Sequence, residues 1–79
     1  MKYNFTPLQG QYLAFIHYYT KIHGQPPAEA DMQKYFKVSA PSVHQMVVTI
    51  EKKGLLKKIP GKGRSISLLV PRDHLPDLK

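Results

Sequence analysis

The 79-residue sequence has no cysteine and no tryptophan, and only five acidic residues face twelve lysines and arginines. Without cysteine, disulfides and cysteine-containing metal sites are excluded. No apolar run approaches the ~18 residues of a membrane-spanning helix, and no signal peptide opens the chain. A chain of this length buries only about 60–65% of its unfolded surface, which leaves little room for a deep substrate cavity. We therefore expect a soluble, intracellular protein with one small domain.

The shortage of acidic residues is concentrated in one part of the chain. Residues 1–32 and residues 67–79 each carry balanced charge, whereas residues 33–66 hold eight basic residues and one acid, Glu51. This middle stretch therefore carries the whole formal net charge of +7. Such segregation favours a polyanionic partner, and the alternative is a basic face that only contacts solvent.

Local signals predict a first helix over residues 7–23. Thr6 and Gln9 have the spacing of a capping box around Pro7, and Gly24 provides a C-terminal stop. Pro26 and Pro27 then prevent continuation of the helix. The predicted core face of this helix consists of Leu8, Tyr12, Phe15, Tyr19 and Ile22, with Ile16 beside it and with Leu13 and Tyr18 away from it.

Two further helices follow, separated by a brief turn at residues 37–40. The second is predicted over residues 28–37, where Glu29 and Asp31 complement the dipole at its start. The third is capped at Ser39 or Ala40 and ends near Lys53, before Gly54. Its apolar face is Val43, Met46, Val47 and Ile50, and Gln45, Val48, Thr49 and Lys52 point the opposite way.

A basic β-hairpin completes the predicted domain. The alternation of apolar and polar residues predicts strands over residues 55–59 and 65–70, joined by a type II turn at Pro60-Gly61. The basic residues of the hairpin are Lys57, Lys58, Lys62 and Arg64. Residues 71–79 contain two prolines and balanced charge, so we expect a domain over residues 1–70 followed by a tail or linker.

This order of elements predicts a mainly α, α+β fold with a small antiparallel hairpin, namely a winged helix-turn-helix of three helices plus a wing. The chain resembles the N-terminal DNA-binding domain of the LexA repressor family over about residues 5–70. The resemblance lies in Thr6, Gln9, Ile16, Gly24, Pro26 and Pro27 and, in the wing, in Gly61, Arg64, Ile66, Leu68 and Leu69. Ser42-Val43 and the run from Ile50 to Leu55 are similar to bacterial winged-helix regulators in general.

The resemblance implies a bacterial, cytoplasmic, nucleoid-associated regulator that binds double-stranded DNA. The third-helix region is about one residue shorter than in LexA, so the family's base-contacting residues are not transferred to this chain. The self-cleaving serine–lysine peptidase half of LexA has no counterpart in these 79 residues. The resemblance therefore gives no support for autoproteolysis.

The candidate DNA contacts follow from the predicted faces. A carboxamide such as that of Gln45 pairs with adenine, apolar atoms such as those of Val48 meet thymine methyls, and Arg64 suits the minor groove. The predicted base-contacting residues are Pro41, Ser42, His44, Gln45, Val48 and Thr49. The predicted backbone-contacting residues are Ser39, Lys52, Lys53, Lys57, Lys58, Lys62 and Arg64.

Two alternatives to a sequence-specific regulator stay open. One is a winged-helix module that binds RNA or serves in a replication, plasmid or phage assembly. The other is a protein-interaction module whose basic face is incidental. A homodimer is also left open. No catalytic residue is expected, because the acids are few and scattered, and no cofactor, metal site or membrane contact is expected either.

Overall fold

The computed structural model describes residues 3–79. Within this range it has three α-helices, one two-stranded antiparallel sheet and a short 3₁₀ helix. The elements in chain order are α1 (Pro7–His23), α2 (Glu29–Phe36), α3 (Ala40–Lys52), β1 (Leu56–Lys57), β2 (Ser67–Leu68) and the 3₁₀ helix (Arg72–His74). This is the winged helix-turn-helix architecture that the sequence predicts.

The bounds of α1 are those predicted, because local contacts define both ends. The Thr6 hydroxyl accepts from the Gln9 amide at 3.1 Å, and the Gln9 carboxamide oxygen accepts from the Thr6 amide at 3.0 Å. This reciprocal pair forms the expected capping box. At the other end Gly24 has φ 74°, a left-handed conformation that glycine adopts without steric cost.

The helix-turn-helix pair is equally close to its prediction. Ala28 and Lys37 are the caps of α2, and the Asp31 carboxylate accepts from the Ala28 amide at 2.8 Å. Ser39 caps α3 by accepting from the Ser42 amide at 3.3 Å. The turn between the two helices is therefore three residues long.

The core lies between the three helices and the hairpin. Val43, Val47 and Ile50 of the predicted apolar face of α3 are fully buried, and Met46 is partly buried against them, so the face is confirmed. Around them lie residues of α1, α2 and the hairpin: Tyr12, Leu13, Phe15, Ile16, Met32, Leu55, Leu56, Ile66 and Val70. Tyr12 also stacks on Phe36 of α2 with ring centroids 4.0 Å apart.

The predicted core face of α1 is wrong at three positions. Leu13 was placed away from the core but is fully buried, whereas Leu8 and Ile22 are 53% and 74% exposed. The middle of α1 is covered on several sides, since α2, β2 and the C-terminal segment all contact it. A helix that is surrounded at its middle buries residues there in every direction and leaves its ends uncovered, so a single stripe does not describe it.

The paired strands are shorter than predicted. Within residues 3–79 the ladder pairs Leu56 with Leu68 and Lys57 with Ser67, and the Leu69 amide also donates to the Leu55 carbonyl at 2.9 Å. Beyond them, the Ser65 hydroxyl accepts from the Ile59 amide at 3.0 Å and donates to the Lys62 carbonyl at 2.8 Å. This side chain replaces the next backbone bonds of the ladder, so regular pairing stops.

The predicted turn closes the hairpin. The Lys62 amide donates to the Ile59 carbonyl at 3.1 Å, and Gly61 has φ 74°, as the third position of a type II turn requires.

Residues 71–79, predicted as a tail or linker, lie against α1 and α2. The Gln11 carboxamide donates to the Asp77 carbonyl at 2.9 Å and accepts from the Lys79 amide at 2.8 Å. The Tyr35 hydroxyl donates to the Lys79 carbonyl at 2.6 Å. Leu75 and Leu78 are partly buried against the core, so this segment packs on the helices.

Candidate nucleic-acid interface

The surface of α3 opposite the core carries most of the predicted base-contacting residues. Because every third or fourth residue of α3 is committed to the core, the residues between them face outward. The structure brings four of the six together in one shallow groove, alongside Gln9 and Met46. These four are Pro41, Ser42, Gln45 and Thr49.

Gln45 and Thr49 lie one turn apart on α3, and both line this groove. The Thr49 hydroxyl donates to the backbone carbonyl of Gln45 at 2.9 Å. The side-chain amide nitrogen of Gln45 lies 3.4 Å from the Thr49 hydroxyl. The second contact is long for a hydrogen bond and is exposed. The Gln45 carboxamide is therefore held only weakly and can exchange this partner for another.

The other two predicted base-contacting residues have different surroundings. His44 is exposed, and its Nδ1 lies 3.5 Å from Oε2 of Glu29 in the first turn of α2. Val48 is half-buried. Neither of them lines the groove of Gln45 and Thr49.

Three predicted DNA-backbone contacts lie at the ends of α3. Two of them, Ser39 and Lys53, form hydrogen bonds within the protein. The Ser39 hydroxyl, besides its capping bond, lies 2.9 Å from the Ser42 hydroxyl. Lys53 donates through Nζ to Oε1 of Gln9 at 2.7 Å, the same oxygen that accepts from the Thr6 amide. Lys52 is exposed and forms no ion pair among residues 3–79.

The four basic residues of the wing divide into two kinds. Lys57 and Lys62 are exposed, and neither forms an ion pair with another described residue. Lys58 is partly buried, with Nζ 3.5 Å from Oε2 of Glu29 and its backbone amide donating to Glu51 at 3.3 Å. Only the first two therefore keep their charge free of internal partners.

Arg64 turns back onto the helices. Its Nη1 lies 3.0 Å from Oδ2 of Asp31 and donates to the Tyr19 hydroxyl at 3.1 Å and to the Pro26 carbonyl at 3.3 Å. Chiefly the hydrogen bond from the Ala28 amide, and then the charge of Arg64, hold the pKa of Asp31 below its ordinary value. The hydrogen bond to Tyr19 and the charge of Asp31 raise the pKa of Arg64.

The basic residues of the wing are evident from the sequence, but their acidic partners are not. Glu29 and Asp31 were assigned to the dipole of α2, and their positions in its first turn are as predicted. The fold places both carboxylates against the wing, 29 and 33 residues further along the chain. The available signal was the scarcity of acids, because two of the five, Glu29 and Asp31, are separated by a single residue.

Metal sites and membrane-spanning helices are both absent between Tyr3 and Lys79. No cluster of histidine, cysteine and acidic residues in that range has the geometry to hold a metal ion. None of the helices there is long and apolar enough to cross a membrane.

The fold and this surface define a winged helix-turn-helix protein. Its third helix packs one face on the core and exposes a polar face, with a basic hairpin in the same domain. The family described as "LexA DNA binding domain" matches residues 2–65. This chain belongs to that family.

Individual relatives agree with the family match. The chain is 38% identical over 70 residues to a protein named LexA repressor from Thermosipho melanesiensis, covering 89% of this chain and 35% of that protein. A LexA repressor from Oleidesulfovibrio alaskensis is 36% identical over 63 residues, covering 80% and 30%. One from Geobacter metallireducens is 32% identical over 65 residues, covering 81% and 32%. The chain thus spans about a third of the length of these curated relatives.

Proposed function

We propose that this chain binds double-stranded DNA with sequence preference and acts in the regulation of transcription. The observation that carries the proposal is the outer face of α3, which is polar and uncovered in a domain of the LexA DNA-binding family. Because two of its relatives are named LexA repressor, we propose that the regulation is repression. A helix that exposes such a face beside a basic hairpin fits the major groove.

In the proposed complex, α3 enters the major groove with its first half against the base edges. Gln45 pairs with adenine, while Ser42, His44 and Thr49 bond bases or phosphates and Pro41 and Val48 meet thymine methyls. Exposure of Ser42 and Gln45 and the weak internal hold on the Gln45 amide support this arrangement.

The backbone contacts come from α3 and the wing. Lys52 at the end of α3 and Lys57 and Lys62 on the wing reach phosphates, which is supported by their exposure and by their lack of ion pairs among residues 3–79. Lys53 joins them by exchanging the Gln9 oxygen for a phosphate. In this proposal residues 1–70 form the DNA-binding domain. Residues 71–79, which contact α1 and α2, form a tail or linker.

Selection of bound duplexes from a random library tests the proposal. We expect enrichment of a defined sequence, binding that weakens steeply with salt, and poor competition by RNA of the same sequence. Recovery of an inverted repeat would indicate that two copies bind together. Equal affinity for all duplexes, or a preference for RNA, would overturn the proposal.

A further inference from the structure

Arg64 adopts an unusual backbone conformation for an arginine. Its φ of 52° lies in the left-handed region, which residues with a side chain rarely occupy and which costs energy. Its guanidinium contacts three separate segments: Tyr19 on α1, Pro26 in the connection to α2, and Asp31 on α2. One wing residue thus links the hairpin to both of the first two helices.

Asp31 is a rigid anchor for this contact. Its Oδ2 accepts from the Ala28 amide at 2.8 Å, which closes the start of α2, and lies 3.0 Å from Nη1 of Arg64. The side chains of Asp31 and Arg64 are 26% and 38% exposed, so water screens their charges only in part.

A second ion pair lies on the other arm of the hairpin. Lys58 follows β1 and pairs with Glu29, whereas Arg64 precedes β2 and pairs with Asp31. Both acids belong to the first turn of α2. The two arms of the wing are therefore fixed to one turn of one helix.

The hairpin needs such support. Its two residue pairs are extended by one bond from the Leu69 amide to the Leu55 carbonyl at 2.9 Å, and a two-stranded hairpin this short is at best marginally stable in water without other contacts. The tip, residues 59–65, carries Lys62 beyond the paired region. The turn and the Ser65 hydroxyl hold the shape of the tip from within, so the direction of the whole tip relative to the helices depends on how its two arms are held.

We propose that Arg64 and Asp31 form a positioning pair that holds the wing against α1 and α2, so that Lys57 and Lys62 face the DNA backbone. Arg64 then acts through Asp31 and Tyr19 and is not itself a DNA contact. The expected effect of the pair on DNA affinity rests on the proposed DNA binding. The expected effect of the pair on the order of the wing does not, because it can be measured in the free protein.

The two roles for Arg64 predict opposite effects of Asp31→Asn. Asparagine keeps the size of the side chain and an oxygen that accepts from the Ala28 amide, but it removes the negative charge. If Arg64 contacts phosphate, loss of a nearby acid leaves DNA affinity unchanged or raises it. If Asp31 positions the wing through Arg64, the same substitution lowers affinity, although the protein has become more positive.

The first measurement uses the free protein. We expect Asp31→Asn and Arg64→Gln to lower the ¹H–¹⁵N heteronuclear NOE of the backbone amides of residues 61–65 and to speed tryptic cleavage after Lys62. Asp73→Asn is the matched control, because Asp73 is exposed and forms no ion pair among residues 3–79. Wing amides that keep the wild-type NOE in Asp31→Asn would overturn the proposal.

The second measurement is a titration with the selected duplex at one salt concentration. We expect Asp31→Asn to weaken binding by about two- to tenfold, and Asp31→Asn combined with Arg64→Gln to bind no more weakly than Arg64→Gln alone. Asp73→Asn should bind as well as wild type or slightly better. Equal or tighter binding by Asp31→Asn, or additive losses in the double variant, would overturn the proposal.

Tyr19→Phe provides a second, uncharged variant if Asp31→Asn fails to fold. It removes only the hydroxyl that accepts from Arg64, so a smaller loss of wing order and of affinity is expected, and no loss of either would overturn the proposal. If wild-type protein binds no duplex at all, the proposed function fails. The NOE measurement then still decides whether the pair positions the wing.

Discussion

Two isoleucines illustrate how far the contribution of one residue depends on its surroundings. Ile50 on α3 is fully buried in the core, and Ile22 near the end of α1 is 74% exposed. Both were predicted to face the core from their helical spacing. Because burial and packing set the cost of truncating an apolar side chain, the two positions should respond very differently to the same change.

We expect Ile50→Ala to lower the free energy of unfolding by about 2–5 kcal/mol, since it leaves a cavity in a closely packed core. That is a large share of the total free energy of unfolding, which is roughly 5 kcal/mol for the least stable small domains. Ile22→Ala should change the free energy of unfolding by no more than about 0.5 kcal/mol. Urea unfolding of both variants measures the difference, and similar losses would show that the core is wrongly described.

Asp31 provides a test at the residue scale that depends on pH. Chiefly the Ala28 amide, and then the Arg64 guanidinium, lower the pKa of Asp31 from its ordinary value of 3.8. The folded state therefore binds this proton less readily than the unfolded state. The resulting stability is present above pH 3.8 and is lost as the pH falls through the lower, folded pKa.

We expect Asp31→Asn to be less stable than wild type at pH 7 and to approach wild type as the pH falls below 3.8 and through the lower pKa of folded Asp31. Urea unfolding at pH 7, pH 4 and pH 2.5 measures the free-energy difference between the two proteins. A difference that stays constant over this range would contradict the ionic contribution of Asp31.

At the scale of elements, the helices were predictable and the hairpin was less so. Thr6, Gly24 and Ser39 mark helix ends through contacts within four residues, so the sequence contains the necessary information. Strand length depended on Ser65, whose side chain takes the place of backbone pairing. Burial of Leu13 depended on several elements that meet at α1, which the period of one helix does not encode.

The candidate interface shows the same division. The outer face of α3 was predictable because its phase follows from Val43, Val47 and Ile50. The ion pairs of Lys58 and Arg64 were not, since their partners are distant in sequence and belong to another helix. Helical period thus indicates which side chains are exposed, but only the tertiary fold shows which charges are already paired.

The wing yields a prediction about salt dependence. Replacing a residue that contacts one phosphate lowers the slope of log affinity against log salt by about 0.9. We expect this from Lys62→Ala and from Lys57→Ala, which have no ion pair within residues 3–79, and a smaller change from Lys58→Ala, which pairs with Glu29. Titrations at four salt concentrations measure the slopes. Unchanged slopes for both Lys57→Ala and Lys62→Ala would remove the wing from the interface.

At the scale of the whole molecule, the folded charge pattern is more finely divided than the sequence indicates. The formal charge of +7 arises entirely within residues 33–66, yet Glu29 and Asp31 from outside that stretch lie against its wing. The cations without internal partners there include Lys52, Lys57 and Lys62. The proposed surface for a polyanion is therefore the outer face of α3 with cations such as these, and it excludes Lys58 and Arg64, whose charges are paired.

The central claim is that this outer face of α3 distinguishes DNA sequences, and Gln45 is the residue that tests it most directly. Gln45 is exposed and lines the groove with Ser42 and Thr49, and its side-chain amide donates one long hydrogen bond, to the Thr49 hydroxyl. Lys52 on the same helix is the matched control, since a phosphate contact contributes equally to every duplex.

The measurement is a pair of titrations, with the selected duplex and a random duplex, for wild type, Gln45→Ala and Lys52→Ala at one salt concentration. We predict that Gln45→Ala loses about 1–3 kcal/mol of binding free energy on the selected duplex and far less on the random one. Lys52→Ala should weaken both by similar factors. Equal losses on the two duplexes for Gln45→Ala would contradict the claim that α3 recognises sequence through this residue.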